Sequence, residues 1–168
     1  LAHWTPLHLH LGAEDVGARV VLLEAVALQP GRSALVQLEL ERPIHALHGD
    51  RFIVRDQSAR HTLGGGVVID PFAPATRRTS AARAAVLEAF ATLDPQKALA
   101  RLLALGDRPV DLERFGASFG LTDEALAGLV DSAGAAVLGK ETRVAVLAVA
   151  RGKVQEKLLA TLAEHHRA

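Results

Sequence analysis

The stretch GDRFIVRDQSARHTLGGGVVID, residues 49–70, contains two short apolar runs separated by a loop of charged and hydroxylated residues. Each run has the length and composition of a strand, and the polar loop with its glycines is typical of a strand connection. The same period of two continues outward, because TPLHLHLG at residues 5–12 and SALVQLELE at residues 33–41 both alternate. Several short strands within about 70 residues, with no helical run, predict a small closed barrel or sandwich.

The pattern changes to a helical period after residue 74. Residues 79–93 are rich in alanine and leucine, with Thr79 or Ser80 as a candidate N-cap. In residues 94–106, Asp94 is placed to cap a helix, Pro95 stands at its first position and Gly106 ends it. Two short helical stretches and two apolar runs around a GKET tip at residues 139–142 follow. Helices followed by a hairpin are the order of a winged helix.

We therefore predict an α+β fold in two domains. An N-terminal antiparallel β-barrel would occupy residues 1–74 and a winged-helix domain residues 75–148, with the segment 71–78 as linker. Residues 149–168 are amphipathic and are expected to be the first helix of a further, truncated winged-helix module. A first residue Leu1 in place of Met suggests a segment of a longer protein.

The composition excludes several classes of function. The 168 residues include 19 Lys and Arg and 19 Asp and Glu, so no global charge attracts the chain to nucleic acid or to a membrane surface. The absence of cysteine excludes disulfides, thiolate zinc sites and cysteine nucleophiles. It also agrees with a cytoplasmic location. No apolar run has the length of a membrane span, so we expect no membrane partner.

The polar loop does not have the pattern of a phosphate-binding loop. That pattern needs two glycines separated by four residues and then Lys-Ser/Thr, and the sequence lacks it. Glycine triplets that lead into a strand more often mark a bulge or a close backbone approach. The residue types of a catalytic triad are present in Ser58, His61 and either Asp56 or Asp70. They do not indicate a triad, because they share one segment without a nucleophile elbow. We predict that this chain is not itself an enzyme.

Two histidine pairs have the spacing of metal ligands. His8 and His10 would share one face of a strand, and His45 and His48 lie three residues apart. No carboxylate or third histidine is reliably placed beside either pair. The sequence therefore favours solvent-facing or RNA-facing histidines over a metal site.

Short motifs in the first 71 residues resemble the third domain of translational GTPases of the elongation factor Tu type. These motifs are PG at residues 30–31, RPI at 42–44, GDRFIVRD at 49–56 and RHTLGGGVV at 60–68. The opening LHLHLGAEDVGARVVLL, residues 7–23, and the long loop RDQSARHTLGGGVVIDP, residues 55–71, are more similar to the selenocysteine-specific elongation factors of bacteria. So is the continuation into winged-helix modules. The resemblance implies a barrel of the translation-factor third-domain type.

The resemblance also implies a function for the loop. In that family it lies where the barrel meets the T-arm and acceptor stem of a bound tRNA, and glycines let the backbone approach a sugar-phosphate strand. Asp56 could instead pair with Arg55 or cap the turn, and Arg55 could pair within the barrel. Leu35 stands where elongation factor Tu has a tRNA-contacting lysine, which is a departure from the pattern. The candidate tRNA-binding residues are Arg55, Asp56, Gln57, Ser58, Arg60, His61, His8 and His10.

The winged-helix part lacks the charge of a nucleic-acid reader. Its second turn-motif helix, TDEALAGLVD at residues 122–131, has three acidic residues and no basic one. The resemblance implies that distal winged-helix modules bind the selenoprotein mRNA hairpin, and we expect this module to link the barrel to them. The resemblance implies selenocysteyl-tRNA and the ribosome as partners, with GTP and magnesium in a nucleotide domain outside this chain. The alternative is a transcription regulator with a β-barrel sensor and a winged helix.

Overall fold

The computed structural model describes residues 1–76, 78–106, 108–139 and 142–147. The chain divides into two compact units, Leu1–Glu88 and Ala89–Ala168. The helix predicted over residues 149–168 lies outside the described residues. Division into packed units does not decide where sequence domains end, so the boundaries at residues 74 and 148 stay predictions.

The first unit is built on one antiparallel sheet with the strand order β3-β2-β1-β4-β5. This half-barrel, whose edge strands are β3 and β5, confirms the predicted antiparallel barrel-type domain. Its strands are β1 Pro6–Leu11, β2 Glu14–Leu22, β3 Val36–Leu40, β4 Arg51–Arg55 and β5 Thr62–Val67.

The inner face of this sheet holds the core of the first unit. Leu7 and Leu9 are 2% and 4% exposed, whereas His8 and His10, which alternate with them, lie on the outer face, as the alternation predicts. Burying one leucine side chain stabilises the fold by roughly 1.5–3 kcal/mol. The fully buried members of the cluster are Leu7, Leu9, Val16, Ala18, Val20, Leu22 and Val54.

A segment that we call the strap, residues 70–76 and 78–83, runs from the end of β5 to the first helix, α1 Ala81–Ala89. It is bound to the opposite edge strand, because the Gln37 side-chain amide donates to the Pro74 carbonyl at 3.0 Å. Arg78 also pairs with Glu39 of β3 at 3.0 Å. The strap begins at Asp70 and ends at Arg83, and these two side chains form an ion pair at 2.6 Å. The strap therefore connects the two edges of the half-barrel.

The second unit has the element order of a winged helix, which confirms that prediction. Two neighbouring helices are followed by a hairpin, and the three strands have the order β6-β8-β7. The two-residue strand β6 was not predicted. The elements are α2 Pro95–Leu105, β6 Val110–Asp111, α3 Leu112–Phe119, α4 Asp123–Ser132, β7 Ala135–Leu138 and β8 Val144–Leu147.

Helix ends in this unit follow the local sequence signals. The Asp94 carboxylate accepts hydrogen bonds from the first-turn amides of α2, and Gly106 ends that helix with φ of 71°. Thr122 caps α4 by accepting from the Ala125 amide at 3.3 Å. Phe115 of α3 is 2% exposed, and its ring centroid lies 4.9 Å from that of Phe119 on the same helix.

Candidate functional site

The outer face of the half-barrel brings together three of the predicted site residues. His8 of β1 lies directly opposite Arg55 of β4, and His10 lies opposite Ile53. The rings of His8 and His10 are stacked, with centroids 6.5 Å apart. Neighbouring strands with matched register therefore place two imidazoles and a guanidinium on one surface.

Arg55 has no carboxylate partner among the described residues, so neither of the pairings considered for it from sequence is observed. Its Nε atom is buried and makes no hydrogen bond there, and the same holds for Nε2 of His10. A buried donor without an acceptor is costly, and most such atoms in folded proteins have a partner.

His8 is held by a residue that the sequence reasoning missed. Its Nδ1–H donates to Asp15 of β2 at 2.9 Å. This hydrogen bond, together with the nearby charges of His10, His8 and Arg42, lowers the pKa of the Asp15 carboxyl. Counting register across the tight turn at residues 12–13 would have found Asp15, because that turn places it opposite His10.

The loop after β4 is organised around Asp56. One carboxylate oxygen accepts from the backbone amides of Arg60 and His61, at 2.7 and 3.1 Å. The other accepts from the Ser58 hydroxyl at 2.9 Å and from Nδ1–H of His61 at 3.1 Å. The loop is closed by the Asp56 amide, which donates to the His61 carbonyl at 2.9 Å. Ala59 adopts a left-handed conformation with φ of 51°.

These contacts give Asp56 the role of capping the turn, which was one of its two alternatives from sequence. Hydrogen bonds from the His61 backbone and ring, followed by those from Ser58 and Arg60, hold the pKa of the Asp56 carboxyl far below its usual range. The side chains of Gln57 and Arg60 are exposed. The His61 side chain is 80% exposed, on the same loop.

The three glycines of β5 have different surroundings. A Cβ atom at Gly65 would lie 2.7 Å from the backbone oxygen of Phe52, and one at Gly66 would lie 2.6 Å from the Phe52 ring. At Gly64 a Cβ atom would meet nothing within 4 Å. Two of the glycines are therefore explained by close approach to β4, as the glycine triplet predicts.

The arrangement of Ser58, His61 and Asp56 differs from that of a catalytic triad. The Ser58 hydroxyl and the His61 ring both donate to the same oxygen of Asp56, whereas a triad needs the histidine between the serine and the acid. No group of three or more His, Cys, Asp or Glu suited to a metal ion occurs in the described part of the chain. His48 instead hydrogen-bonds the Ile69 carbonyl at 2.7 Å.

In the winged-helix unit, Arg143 of the hairpin forms ion pairs with residues of the same unit. Arg143 donates to Glu113 of α3 at 2.7 Å and to Asp123 of α4 at 2.9 Å. These two hydrogen bonds raise the pKa of Arg143 above its usual range. Lys140 and Glu141 at the hairpin tip lie outside the described residues. The described surface of α4 therefore presents acidic groups, in agreement with the sequence analysis.

Within the four described ranges, no helix combines the length and apolar character that crossing a membrane requires.

Comparisons with known proteins show which family this chain is similar to. The model of the selenocysteine-specific elongation factor beta-barrel domain matches residues 1–75. The selenocysteine-specific elongation factor of Desulfomicrobium baculatum is 38% identical over 80 residues, which are 48% of this chain and 13% of that protein. The one from Escherichia coli (strain K12) is 31% identical over 168 residues, which are 99% of this chain and 25% of that protein. The chain thus spans a quarter or less of the length of these curated relatives.

Proposed function

We propose that the outer face of the half-barrel binds selenocysteyl-tRNA, because residues 1–75 match the model of the β-barrel domain of selenocysteine-specific elongation factors. The observation that carries the proposal is the position of Arg55. Its buried Nε has no acceptor in the described residues, and it lies beside His8 and directly before the loop 56–61. A sugar-phosphate strand that crosses the outer face would supply a counter-charge for this unpaired arginine.

The chemistry of this surface fits double-stranded RNA. Proteins recognise A-form helices mainly through phosphates and 2′-hydroxyls, using arginine, histidine and small polar groups. Arg51 and Arg55 alternate along β4 and so share the outer face, and Arg60 extends the cationic surface into the loop. Gln57 and His61 add exposed hydrogen-bonding groups next to these charges.

We assign a different task to the winged-helix unit. Because Arg143 is neutralised by Glu113 and Asp123, the surface at α4 and the hairpin offers little attraction for phosphates. In our proposal the winged-helix unit links the barrel to further modules of a longer factor, and those modules bind the selenoprotein mRNA hairpin at the ribosome. GTP and magnesium would bind in a nucleotide domain of the same factor, so the chain itself catalyses no reaction. Such a factor would act in the cytoplasm, where translation takes place.

The proposal is tested by binding of the 168-residue chain to a minihelix made of the acceptor and T stems of selenocysteine tRNA. Fluorescence anisotropy over a salt series gives the affinity and the number of phosphate contacts. We expect Arg55→Gln to weaken binding and to reduce the salt slope by about 1. Arg114→Gln, which removes the same charge from α3, is the matched control and should change neither quantity.

Two outcomes would contradict the proposal. Equal losses for Arg55→Gln and Arg114→Gln would mean that the binding is not located on the barrel. Tighter binding to duplex DNA of the same sequence would favour the alternative, a transcription regulator with a β-barrel sensor.

A further inference from the structure

We propose that Asp56 is a positioning residue, which fixes the tautomer and direction of His61 and thereby presents its Nε2 atom to the RNA. The inference rests on the proposed function, and it changes the role expected for Asp56 from a direct contact to an indirect one. It is carried by the hydrogen bonds around the Asp56 carboxylate.

The Asp56 carboxylate has little capacity left for a ligand. Each of its oxygens already accepts two hydrogen bonds, from backbone amides at one oxygen and from Ser58 and His61 side chains at the other. A carboxylate only accepts hydrogen bonds, so it offers nothing to a phosphate, which is also an acceptor and has the same sign of charge. Direct contact between Asp56 and a phosphate is therefore unfavourable.

The same carboxylate determines which ring nitrogen of His61 carries the proton. Because the oxygen accepts, Nδ1 of His61 must donate, and a neutral ring then carries its free lone pair on Nε2. The His61 side chain is 80% exposed, so this second nitrogen is available to solvent. It can accept from a 2′-hydroxyl, or donate to a phosphate when the ring is protonated.

The backbone contacts add a second positioning effect. Asp56 holds the amides of Arg60 and His61 within 3.1 Å of one carboxylate oxygen, which fixes the direction in which both side chains leave the loop. Ala59 adopts its left-handed conformation just before them, and such a conformation persists when surrounding contacts hold it. Asp56 therefore orders a recognition loop before any RNA arrives, which lowers the entropy cost of binding.

The first experiment needs no RNA. In the 168-residue chain, ¹⁵N NMR of the neutral His61 ring should show the proton on Nδ1. Asp56→Asn, which keeps an oxygen for the backbone amides, should move the proton toward Nε2. Asp56→Ala should in addition accelerate amide hydrogen exchange at Arg60 and His61. A wild-type ring protonated on Nε2, or exchange unchanged in Asp56→Ala, would overturn the inference.

The second experiment measures the affinity for the acceptor–T-stem minihelix in a double-mutant cycle. His61→Ala should weaken binding about 2- to 10-fold, the value of one hydrogen bond, and should have no further effect once Asp56 is replaced by asparagine. Asp56→Asn itself should weaken binding, although it removes a negative charge beside phosphates. Glu24→Gln, which neutralises an exposed acid after β2, is the control for charge removal alone.

The signs of these effects separate the possibilities. If Asp56 had no role in binding, Asp56→Asn would bind the minihelix more tightly. If Asp56 contacted the RNA directly, the losses of affinity in Asp56→Asn and His61→Ala would add. Either result would overturn the inference. Unchanged tryptophan fluorescence of Trp4 serves as the check that each variant folds. If the wild-type chain binds no minihelix, the proposed function fails, and the NMR experiment alone still decides whether Asp56 positions His61.

Discussion

At the scale of single residues, the glycines of β5 show how one sequence motif combines positions with different constraints. Gly65 has backbone of β4 against the place where a side chain would begin, and backbone cannot move aside cheaply. Gly64 has open space at that place. Neither of the two has a positive φ, so the contrast between them is steric.

We expect Gly65→Ala to lower the free energy of unfolding by about 1–3 kcal/mol, the usual cost of overpacking. Gly64→Ala should leave it unchanged or raise it by about 0.4–1 kcal/mol, because alanine restricts the unfolded chain. Urea unfolding followed by Trp4 fluorescence measures both, since Trp4 is the single tryptophan of the chain and lies in the first unit. Equal midpoints for the two variants would refute the steric explanation.

The sequence allowed the loop residues to be chosen by position but did not give each one its task. Alternation assigned His8 and His10 to the outer face, because a strand repeats every two residues regardless of its surroundings. The four hydrogen bonds of Asp56 depend on a turn in which Ala59 has a positive φ. Alanine rarely adopts that conformation, so no pattern rule predicts the turn. The individual contacts to RNA stay predictions.

At the scale of elements, the caps were predictable because they depend on a few neighbouring residues. Asp94, Gly106 and Thr122 all end or begin helices where their residue types predict it. Strand β6 was not predictable in this way. It consists of Val110 and Asp111 alone, and it forms only because β8 lies beside it. Two residues carry too little periodicity to indicate a strand.

The Asp94 cap makes the stability of α2 depend on pH. Hydrogen bonds from the Lys97 backbone first, then from the Lys97 side chain and the Gln96 amide, lower the pKa of the Asp94 carboxyl. A lowered pKa in the folded state stabilises it above the unfolded value near 3.8, and this stabilisation is lost as pH falls through the folded value. Asp94→Asn keeps a cap that does not titrate.

We expect wild type and Asp94→Asn to have similar midpoints of urea unfolding at pH 7, with the unfolding measured by circular dichroism of the helices. Below about pH 4 the wild-type midpoint should fall faster than that of the variant, because only wild type must protonate its cap. Glu124→Gln, a substitution of an exposed acid in the first turn of α4, provides a comparison for general acid effects. Parallel midpoint curves for wild type and Asp94→Asn would show that the cap is not the titrating group.

At the scale of the whole molecule, the strap explains why the first compact unit continues to Glu88, beyond the predicted barrel boundary. Its ion pairs differ in burial. The side chains of Asp70 and Arg83 are each 10% exposed, whereas Glu39, which pairs with Arg78, is 47% exposed. The ion pairs of the strap join residues that are far apart in the sequence, and no periodic pattern predicts such pairs.

This difference in burial predicts unequal contributions to stability. Arg83→Met keeps the apolar stem but leaves Asp70 as a buried charge without its partner, which should lower the free energy of unfolding by about 3–5 kcal/mol. Arg78→Met removes a more exposed pair and should cost about 0–1 kcal/mol. Trp4 fluorescence in urea reports both on the first unit.

The double variant Asp70→Asn/Arg83→Met separates the buried charge from the loss of packing. It should be more stable than Arg83→Met alone, because neutralising Asp70 removes the uncompensated charge. The asparagine side chain also keeps an oxygen for the Phe72 amide, whose hydrogen bond Asp70 accepts in the wild type. A double variant that is less stable than Arg83→Met would mean that Asp70 acts through the turn at residue 72. A small loss in Arg83→Met would mean that the half-barrel keeps its edges without the strap.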